Sequence, residues 1–270
     1  TMTCVIALFD LGVNSPRRTG TYVLSLITLA GVALIEALYA GAGGTVYAFD
    51  NMVVSDAMGN WLKCFATIAT MVTFVYGRPY AADRDMMRGG ELFILGLFAL
   101  LGMFIMISGN NFLVLYLGLE LLTLSSYALV ALRRDHGVAT EAAMKYFVLG
   151  ALASGFMLYG MSMLYGASGS LDLSDINLVS RAEQDKTFLV FGLVFIVGGL
   201  AFKFGAVPFH MWVPDVYQGT PTGATLLIAT GPKLASFAMA YRLLVEGLPG
   251  VVADWQHMML ILAGLSLAFR

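Results

Sequence analysis

The chain has 270 residues, of which 59% are hydrophobic and only 12% are charged, and its mean hydropathy is +0.82. Soluble domains are about half apolar and about a quarter charged, so this composition excludes a soluble globular protein and indicates an integral membrane protein. The net charge of −2 gives no sign of nucleic-acid binding. Cys4 and Cys64 lie in separate apolar segments without the spacing of metal ligands, so no metal site is predicted.

Apolar segments follow one another along the whole chain and predict one membrane domain, residues 1–270, built as an all-α polytopic helical bundle. A bilayer core of about 30 Å needs about 20 helical residues. The segments long enough, or nearly so, to cross it are Thr21–Tyr39, Trp61–Tyr76, Glu91–Ser108, Phe112–Leu132, Ala139–Tyr165, Thr187–Ala206 and Gly223–Leu244. Partial helices, Met2–Leu11 and Trp255–Phe269, stand at the two ends, so we expect a piece of a longer chain.

Basic residues are unevenly distributed over the connections between these segments. By the positive-inside rule, the side richer in Lys and Arg is the cytoplasmic side. The odd-numbered connections carry Arg17, Arg18, Arg78, Arg84, Arg88, Arg133 and Arg134, whereas the even-numbered ones carry only Arg181 and Lys186. This places the turn 215–222 on the cytoplasmic side. The segment 166–186 becomes an outward loop whose acids, Asp172, Asp175, Glu183 and Asp185, are expected to be solvated.

The stretch 199–222 interrupts an apolar segment with Lys203, His210, Asp215 and three prolines. Pro208 lacks an N–H and would clash with the carbonyl of Phe204, so a helix over 187–206 should break and a short helix over 209–217 should follow. Irregular backbone at membrane depth occurs only where it is buried in protein or lines a hydrated cavity. Broken helices of this kind form ion and substrate sites in transporters. We therefore predict the functional centre here.

Four ionisable residues stand out inside the predicted spans: Glu120, Lys145, Lys203 and Lys233. Each such residue costs about 3 kcal/mol to insert, so these positions indicate function. Lys145 follows Glu141 by four residues, on one helix face, and Lys233 directly follows a kink predicted at Pro232. One acid and three lysines cannot be neutralised pairwise. Since burial disfavours the charged form, at least one lysine is expected to be neutral or solvated part of the time.

This arrangement suits a proton carrier. A buried lysine holds its proton beside a carboxylate and loses it when the carboxylate moves away or another cation approaches. Moving one charge against 100 mV costs about 2.3 kcal/mol, which modest rearrangements can supply. Structural explanations stand beside this one: Glu120 as a protonated interhelical hydrogen-bonding group, Lys145 extending to the interface, His210 and Asp215 as caps, and Glu36 as an interfacial residue.

Three motifs carry a resemblance to a known family. They are FKFGAVPFHMWVPDVYQGTPT around Lys203, GPKLASF around Lys233 and LGLELLTLSSYAL around Glu120. Over essentially its whole length the chain resembles the antiporter-like membrane subunits of respiratory complex I. The family fold implies two inverted five-helix repeats, each with a discontinuous helix, and this chain would hold the first. The second repeat, with its exit-side lysine, would lie beyond Arg270.

The resemblance also implies roles. Glu120, Lys145, Lys203, Lys233 and His210 would form a hydrated half-channel that leads protons from the cytoplasmic side to Lys233. The chain would be a proton-translocating subunit of NADH–quinone oxidoreductase, driven by quinone reduction elsewhere in the complex. It would bind no cofactor itself, because NADH, FMN, the iron–sulfur clusters and the quinone belong to other subunits.

Expected partners are the other membrane subunits and the lipid bilayer. Abundant alanine and glycine favour a bacterial inner membrane over a mitochondrial one. Two other readings stay open from the residues. A multisubunit cation/proton antiporter or a membrane-bound hydrogenase would share the acid and lysine pattern, and a membrane scaffold would only brace its partners.

Overall fold

A computed structural model describes residues 1–13, 15, 17–84, 86, 89–182 and 186–269. The described part is helical apart from one short hairpin and the connections, which confirms the all-α polytopic class. Arg88, Glu183, Asp185 and Arg270, which entered the sequence predictions, lie outside the described residues.

The helices run in chain order through the bundle. They are α1 (Met2–Leu11), α2 (Thr19–Ala42), α3 (Ala57–Ala82), α4 (Glu91–Ser108), α5 (Phe112–Val130), α6 (Gly137–Ser168), α7 (Leu173–Ala182), α8 (Thr187–Phe204), α9 (Trp212–Gly219), α10 (Thr222–Ala240) and α11 (Val252–Ala268). Strands β1 (Val46–Ala48) and β2 (Val53–Ser55) form an antiparallel hairpin between α2 and α3.

Six described helical stretches are long and apolar enough to cross a membrane: Thr19–Ala42, Glu91–Ser108, Phe112–Val130, Gly137–Ser168, Thr187–Phe204 and Pro249–Ala268. Helices α3 and α10 reach 26 and 19 residues but contain more polar side chains. Several of those on α3 are buried, among them Asn60, Lys63, Thr67 and Thr70. That α3 and α10 also cross the membrane stays a prediction.

Helix α3 is longer than the predicted segment 61–76. It begins after Asp56, whose side chain caps the helix by accepting the N–H of Gly59 at 3.1 Å. At its other end it continues past Tyr76, so Arg78 lies on the helix and not in a connection as predicted. The Arg78 guanidinium stacks on Tyr22 at 4.3 Å and donates to Thr19.

The segment predicted as one helix over 223–244 is not α-helical to its end. Helix α10 continues through Pro232 without ending, and the chain then forms a π-helical turn, Tyr241–Gly247. Arg242 in this turn is 2% exposed and donates to Asp56 at 2.7 Å, to Glu246 at 3.0 Å and to the carbonyl of Ile107 at 3.2 Å. The guanidinium thus joins the start of α3, the end of α4 and the end of α10.

The predicted outward loop 166–186 also differs from the structure, because it contains helix α7. Leu173 and Ile176 are buried on one side of this helix. Asp172 accepts a hydrogen bond from Asn111 at 2.6 Å, so it is not simply a solvated acid. The apolar spacing that forms α7 is short, and the surrounding charges obscure it in the sequence.

Three helix pairs cross where glycine faces glycine: α3 and α10 at Gly77 and Gly223, α4 and α5 at Gly102 and Gly118, and α6 and α8 at Gly160 and Gly192. A Cβ built on Gly160 would lie only 2.7 Å from the carbonyl oxygen of Gly192. Small residues at such crossings allow close backbone approach, which drives helix association in lipid. These crossings set the spacing of the helices that carry Glu120, Lys203 and Lys233.

We expect Gly160→Leu to destabilise the protein because the added side chain would force α6 and α8 apart. The thermal unfolding midpoint of the purified full-length protein in detergent should fall, and overpacking of this kind costs about 1–3 kcal/mol. Gly155→Ala, on the same helix but with no atom within 4 Å of the added Cβ, is the matched control. An unchanged midpoint for Gly160→Leu would contradict the packing described above.

Candidate functional site

Helix α8 ends in the middle of the predicted functional stretch. Gly205 adopts a left-handed conformation with φ of 69°. Its N–H donates to the carbonyl of Phe202 at 3.0 Å, and the N–H of Ala206 donates to that of Ala201 at 2.9 Å. This is the Schellman pattern of helix termination, which favours glycine. The predicted break is present, but it begins at Gly205, before the predicted end at residue 206 and three residues before Pro208.

The chain resumes helical structure at Trp212, later than the predicted start at residue 209. The Trp212 ring, which is 3% exposed, stacks between Tyr146 at 4.9 Å and Phe202 at 5.2 Å. Its Nε1 donates to the carbonyl oxygen of Phe202 at 3.0 Å. The short helix α9 is therefore fixed against α6 and α8, so the connection around Pro208 spans two anchored ends.

The ammonium of Lys233 binds the broken end of α8. Its Nζ donates to the carbonyl of Lys203 at 2.9 Å and to that of Phe204 at 2.8 Å, and it lies 5.5 Å from the centre of the Trp212 ring. These carbonyls are among the last of the helix and have no partner within it. The C-terminal end of a helix also carries partial negative charge, which favours a cation. Lys233 thus connects α10 to the break.

Lys203 and Glu120 present polar atoms inside the bundle without protein partners. The Nζ of Lys203 and the Oε1 of Glu120 are enclosed, and neither has a hydrogen-bond partner among the described residues. Glu120 and Lys233 are the charged groups that act electrostatically on Lys203. Buried polar groups almost always have partners, and ordered water supplies those that the protein does not. The arrangement therefore favours a hydrated site between α5, α8 and α10.

His210 follows the break, as the sequence predicts, but it precedes α9, whereas the short helix predicted over 209–217 would include it. Its carbonyl accepts the N–H of Val213 at 2.9 Å, while its Nδ1 is enclosed and has no hydrogen-bond partner in the described part of the chain. The ring is therefore not used as a cap for the backbone groups through this nitrogen. Among the described residues, no cluster of three or more His, Cys, Asp or Glu is placed to hold a metal ion.

Lys145 is not buried, and the expectation that it lies at depth beside the other charges was wrong. Its side chain is 45% exposed, and its Nζ pairs with Glu141 at 3.0 Å and with Asp215 at 2.8 Å. The neighbouring Ala143 and Tyr146 face the interior of the bundle instead. Asp215 was suggested as a helix cap. One of its carboxylate oxygens pairs with Lys145, and this contact links the start of α9 to α6.

Sequence reasoning missed a further buried charge, Lys63. It is 7% exposed, lies 3.6 Å from Glu36 and donates to Asn60 at 3.1 Å. Glu36 was expected at the interface, but its carboxylate faces this lysine. Lys63 stands inside the predicted segment 61–76, so the rule that selected the other intramembrane charges would also have selected it. Its pairing with Glu36 depends on the packing of α2 on α3.

Residues 109–269 match the family described as NADH:quinone oxidoreductase/Mrp antiporter, TM. NADH-quinone oxidoreductase subunit N of Polaromonas naphthalenivorans is 68% identical over 97% of this chain and 53% of its own length. Subunit N of Herminiimonas arsenicoxydans is 58% identical over 98% of this chain and 55% of its own length. The chain spans about half the length of the curated relatives it matches.

Chains in solved structures of membrane complexes also resemble this chain. Respiratory complex I from Thermus thermophilus contains a chain that is 33% identical, with a TM-score of 0.74, over 89% of this chain and 51% of that one. The Mrp complex from Dietzia sp. contains a chain with a TM-score of 0.82 over 97% of this chain and 50% of that one. The identity to the latter is 17%, so it shows a shared fold alone.

Lys203 and Lys233 make different contacts. Replacing each of them with methionine should therefore have opposite effects on the thermal unfolding midpoint. Lys233→Met should lower the thermal unfolding midpoint, because it leaves the carbonyls of Lys203 and Phe204 unpaired, at about 1–3 kcal/mol for each buried group. Lys203→Met should leave the midpoint unchanged or raise it, since it replaces an enclosed ammonium that has no hydrogen-bond partner among the described residues. Thermal unfolding of both purified variants is the measurement. Equal destabilisation by both would contradict the assigned contacts.

The break predicts where water reaches the interior. In a Cys4→Ser background, Ala206→Cys should react with a small charged thiol reagent, whereas Ala201→Cys, at a position 1% exposed, should stay inert. Residue 206 is the better probe than Gly205, because a side chain at Gly205 would be strained at its positive φ and would meet Val213. The labelled fraction in the full-length protein in its membrane is measured. Equal inertness of both cysteines would exclude a hydrated break.

Proposed function

Because the chain belongs to the NADH:quinone oxidoreductase/Mrp antiporter transmembrane family, we propose that it is part of the N subunit of an NADH–quinone oxidoreductase. In this role it carries protons through the membrane while other subunits reduce quinone. The names of relatives that are 58% and 68% identical support this subunit over an Mrp-type antiporter. NADH, the flavin, the iron–sulfur clusters and the quinone are assigned to other subunits. The bacterial relatives favour a bacterial inner membrane.

One observation carries the proposal: the Nζ of Lys203 is enclosed and has no hydrogen-bond partner among the described residues, while the charges of Glu120 and Lys233 both act on it. An ammonium in this position is stabilised by the Glu120 carboxylate and opposed by the Lys233 ammonium. Burial opposes the charged form most strongly, and the two neighbouring charges act on the same ammonium with opposite sign, so a change in either charge alters how firmly Lys203 holds its proton. A static ion pair would have no such balance.

The proton path follows from the order of these groups. Water at the break between Gly205 and Trp212 brings a proton from the cytoplasmic side to Lys203, and His210 lies beside this entry with an enclosed ring nitrogen. Lys203 passes the proton through water toward Lys233. For this transfer Lys233 must first give its own proton to water on the side away from Lys203. The neutral amine donates more weakly to the carbonyls of Lys203 and Phe204, so it can leave them and accept the incoming proton.

Lys145 takes a different place from the one expected from the family resemblance. With Glu141 and Asp215 it forms an exposed ion-pair group near the start of α6, next to α9. We assign it to the cytoplasmic entrance, where an exposed charge group can exchange protons or ions with water, and not to the enclosed part of the path.

The test uses the full-length protein in native membrane vesicles. Glu120→Gln removes the charge that stabilises the Lys203 ammonium while keeping the shape of the side chain. NADH-driven proton pumping and quinone reduction should fall together, by about 100-fold, the lower end of the effect expected when a group that takes part in proton transfer is lost. NADH oxidation by an artificial acceptor should be unchanged, because it does not use this subunit.

Asp254→Asn, which changes a carboxylate to an amide in the first turn of α11, is the matched control and should leave pumping unaffected. Normal pumping in Glu120→Gln would overturn the proposed path and favour a structural role for Glu120. Retained quinone reduction with cation-dependent proton exchange in the same vesicles would favour the antiporter reading instead.

A further inference from the structure

Arg84 and Arg133 line one cavity near the end of α3, and the part of the chain that the structure describes shows no acidic partner for either. The guanidinium of Arg84 lies 4.1 Å from the centre of the Tyr80 ring, and Arg133, from the connection after α5, acts electrostatically on the same phenol. Both arginines and His136 line one cavity of about 260 Å³. Neither arginine makes an ion pair with a carboxylate of the described residues.

The acids at this cavity are otherwise engaged. Glu91 lines it, but its Oε1 is held by Arg134 at 2.6 Å. Asp135 also lines the cavity, and its side chain is not without an interaction partner. Two guanidiniums therefore face the cavity with their charges uncompensated by these groups. Guanidinium forks match phosphate oxygens in pairs of parallel hydrogen bonds, so a phosphate is the ligand that this geometry suits best.

An apolar groove begins at the same tyrosine and runs along the outside of the bundle between α3 and α10. It has a volume of about 480 Å³ and is lined by Ala69, Val72, Thr73, Tyr76, Tyr80, Thr222, Gly223, Leu226 and Thr230. The close crossing of Gly77 and Gly223 forms its floor. Tyr76 is 70% exposed, Val72 46% and Leu226 42%, so the groove opens away from the protein.

The length of the groove fits one membrane leaflet. From Ala69 to Tyr80 helix α3 rises about 16 Å at about 1.5 Å per residue, which is half of a hydrocarbon core of about 30 Å. The phenol of Tyr80 stands at the end nearer the arginines, and tyrosine is enriched at the headgroup level of membranes. The basic end lies on the side that the charge distribution predicts to be cytoplasmic, where the leaflet carries anionic lipids.

We propose that this is a binding site for one anionic phospholipid of the cytoplasmic leaflet. Its phosphate binds Arg84 and Arg133, and one acyl chain lies in the groove between α3 and α10. The proposal takes α3 and α10 as membrane-crossing helices, and it does not depend on the proposed proton path. Because α10 also carries Lys233, the lipid would cover the outer side of a helix whose inner side forms the candidate site.

The test uses the full-length subunit in its assembled complex, purified from its own membrane. Phosphatidylglycerol and phosphatidylcholine that carry the same photoreactive group on an acyl chain are added in separate samples and irradiated. Peptides from 69–80 and 222–230 are then analysed for attached lipid. We expect strong labelling by phosphatidylglycerol and weak labelling by phosphatidylcholine at equal concentration.

Variants separate the two parts of the site. Arg84→Gln with Arg133→Gln should lower the phosphatidylglycerol labelling about fivefold for each guanidinium lost, and Leu226→Trp should lower the labelling by filling the groove. Arg78→Gln is the matched control, because this arginine is on the same helix but is occupied by Tyr22 and Thr19. It should leave the labelling unchanged.

Two outcomes would overturn the proposal. Phosphatidylcholine carries the same phosphate as phosphatidylglycerol but no net charge, so equal labelling of wild-type protein by both lipids would mean that the site does not select an anionic lipid. Attachment of the photoreactive lipid elsewhere, together with crosslinking of groove residues to another polypeptide, would mean that a protein covers this surface. The comparison of the two lipids on wild-type protein decides the matter even if the arginine variants fail to assemble.

Discussion

The arrangement of the candidate site depends on the interaction between the Lys233 ammonium and the carbonyls of Lys203 and Phe204. A helix that ends inside an apolar environment leaves carbonyls unpaired, and each costs free energy unless a donor reaches it. One lysine from α10 supplies two of these donors. The interaction also holds the Lys233 ammonium against the backbone of Lys203, so two like charges meet at the end of α8.

The rest of the bundle keeps this geometry in place. Glycine pairs at the helix crossings hold the backbones of α3 and α10, and of α6 and α8, at close distance. Trp212 fixes the chain after the break by stacking on Tyr146 and Phe202. Such close-packed contacts resist small displacements. The groups with freedom to respond to a proton are therefore the long side chains and the water around them.

The charged residues and the helix break could be predicted from the sequence more fully than the exposure and pairing of the charges around them, for physical reasons. Charged residues in apolar segments are conspicuous, so Glu120, Lys203 and Lys233 could be selected by composition alone. The break could be placed to within a few residues, although Gly205 and not Pro208 ends the helix. An extended, exposed Lys145 was one of two alternatives, and the sequence could not choose between them, because a membrane helix is apolar on all sides and lacks the periodicity that separates inner from outer faces. The pair Lys63–Glu36 required the tertiary packing of two helices that the sequence gives no means to align.

Contacts at the two ends of α10 limit how the binding of a proton can be coupled to a structural change. Near its start, Gly223 packs directly against Gly77. After its last turn, the buried guanidinium of Arg242 binds Asp56, Glu246 and the carbonyl of Ile107. Removing one partner from such a buried group is strongly destabilising, so this end of the helix does not shift readily. Lys233 lies between these two anchored points. A rigid displacement of α10 would have to break one of them, whereas a change in the rotamer or charge of Lys233 breaks only its bonds to the end of α8. The geometry therefore favours a switch in which the lysine side chain moves and the helix stays in place.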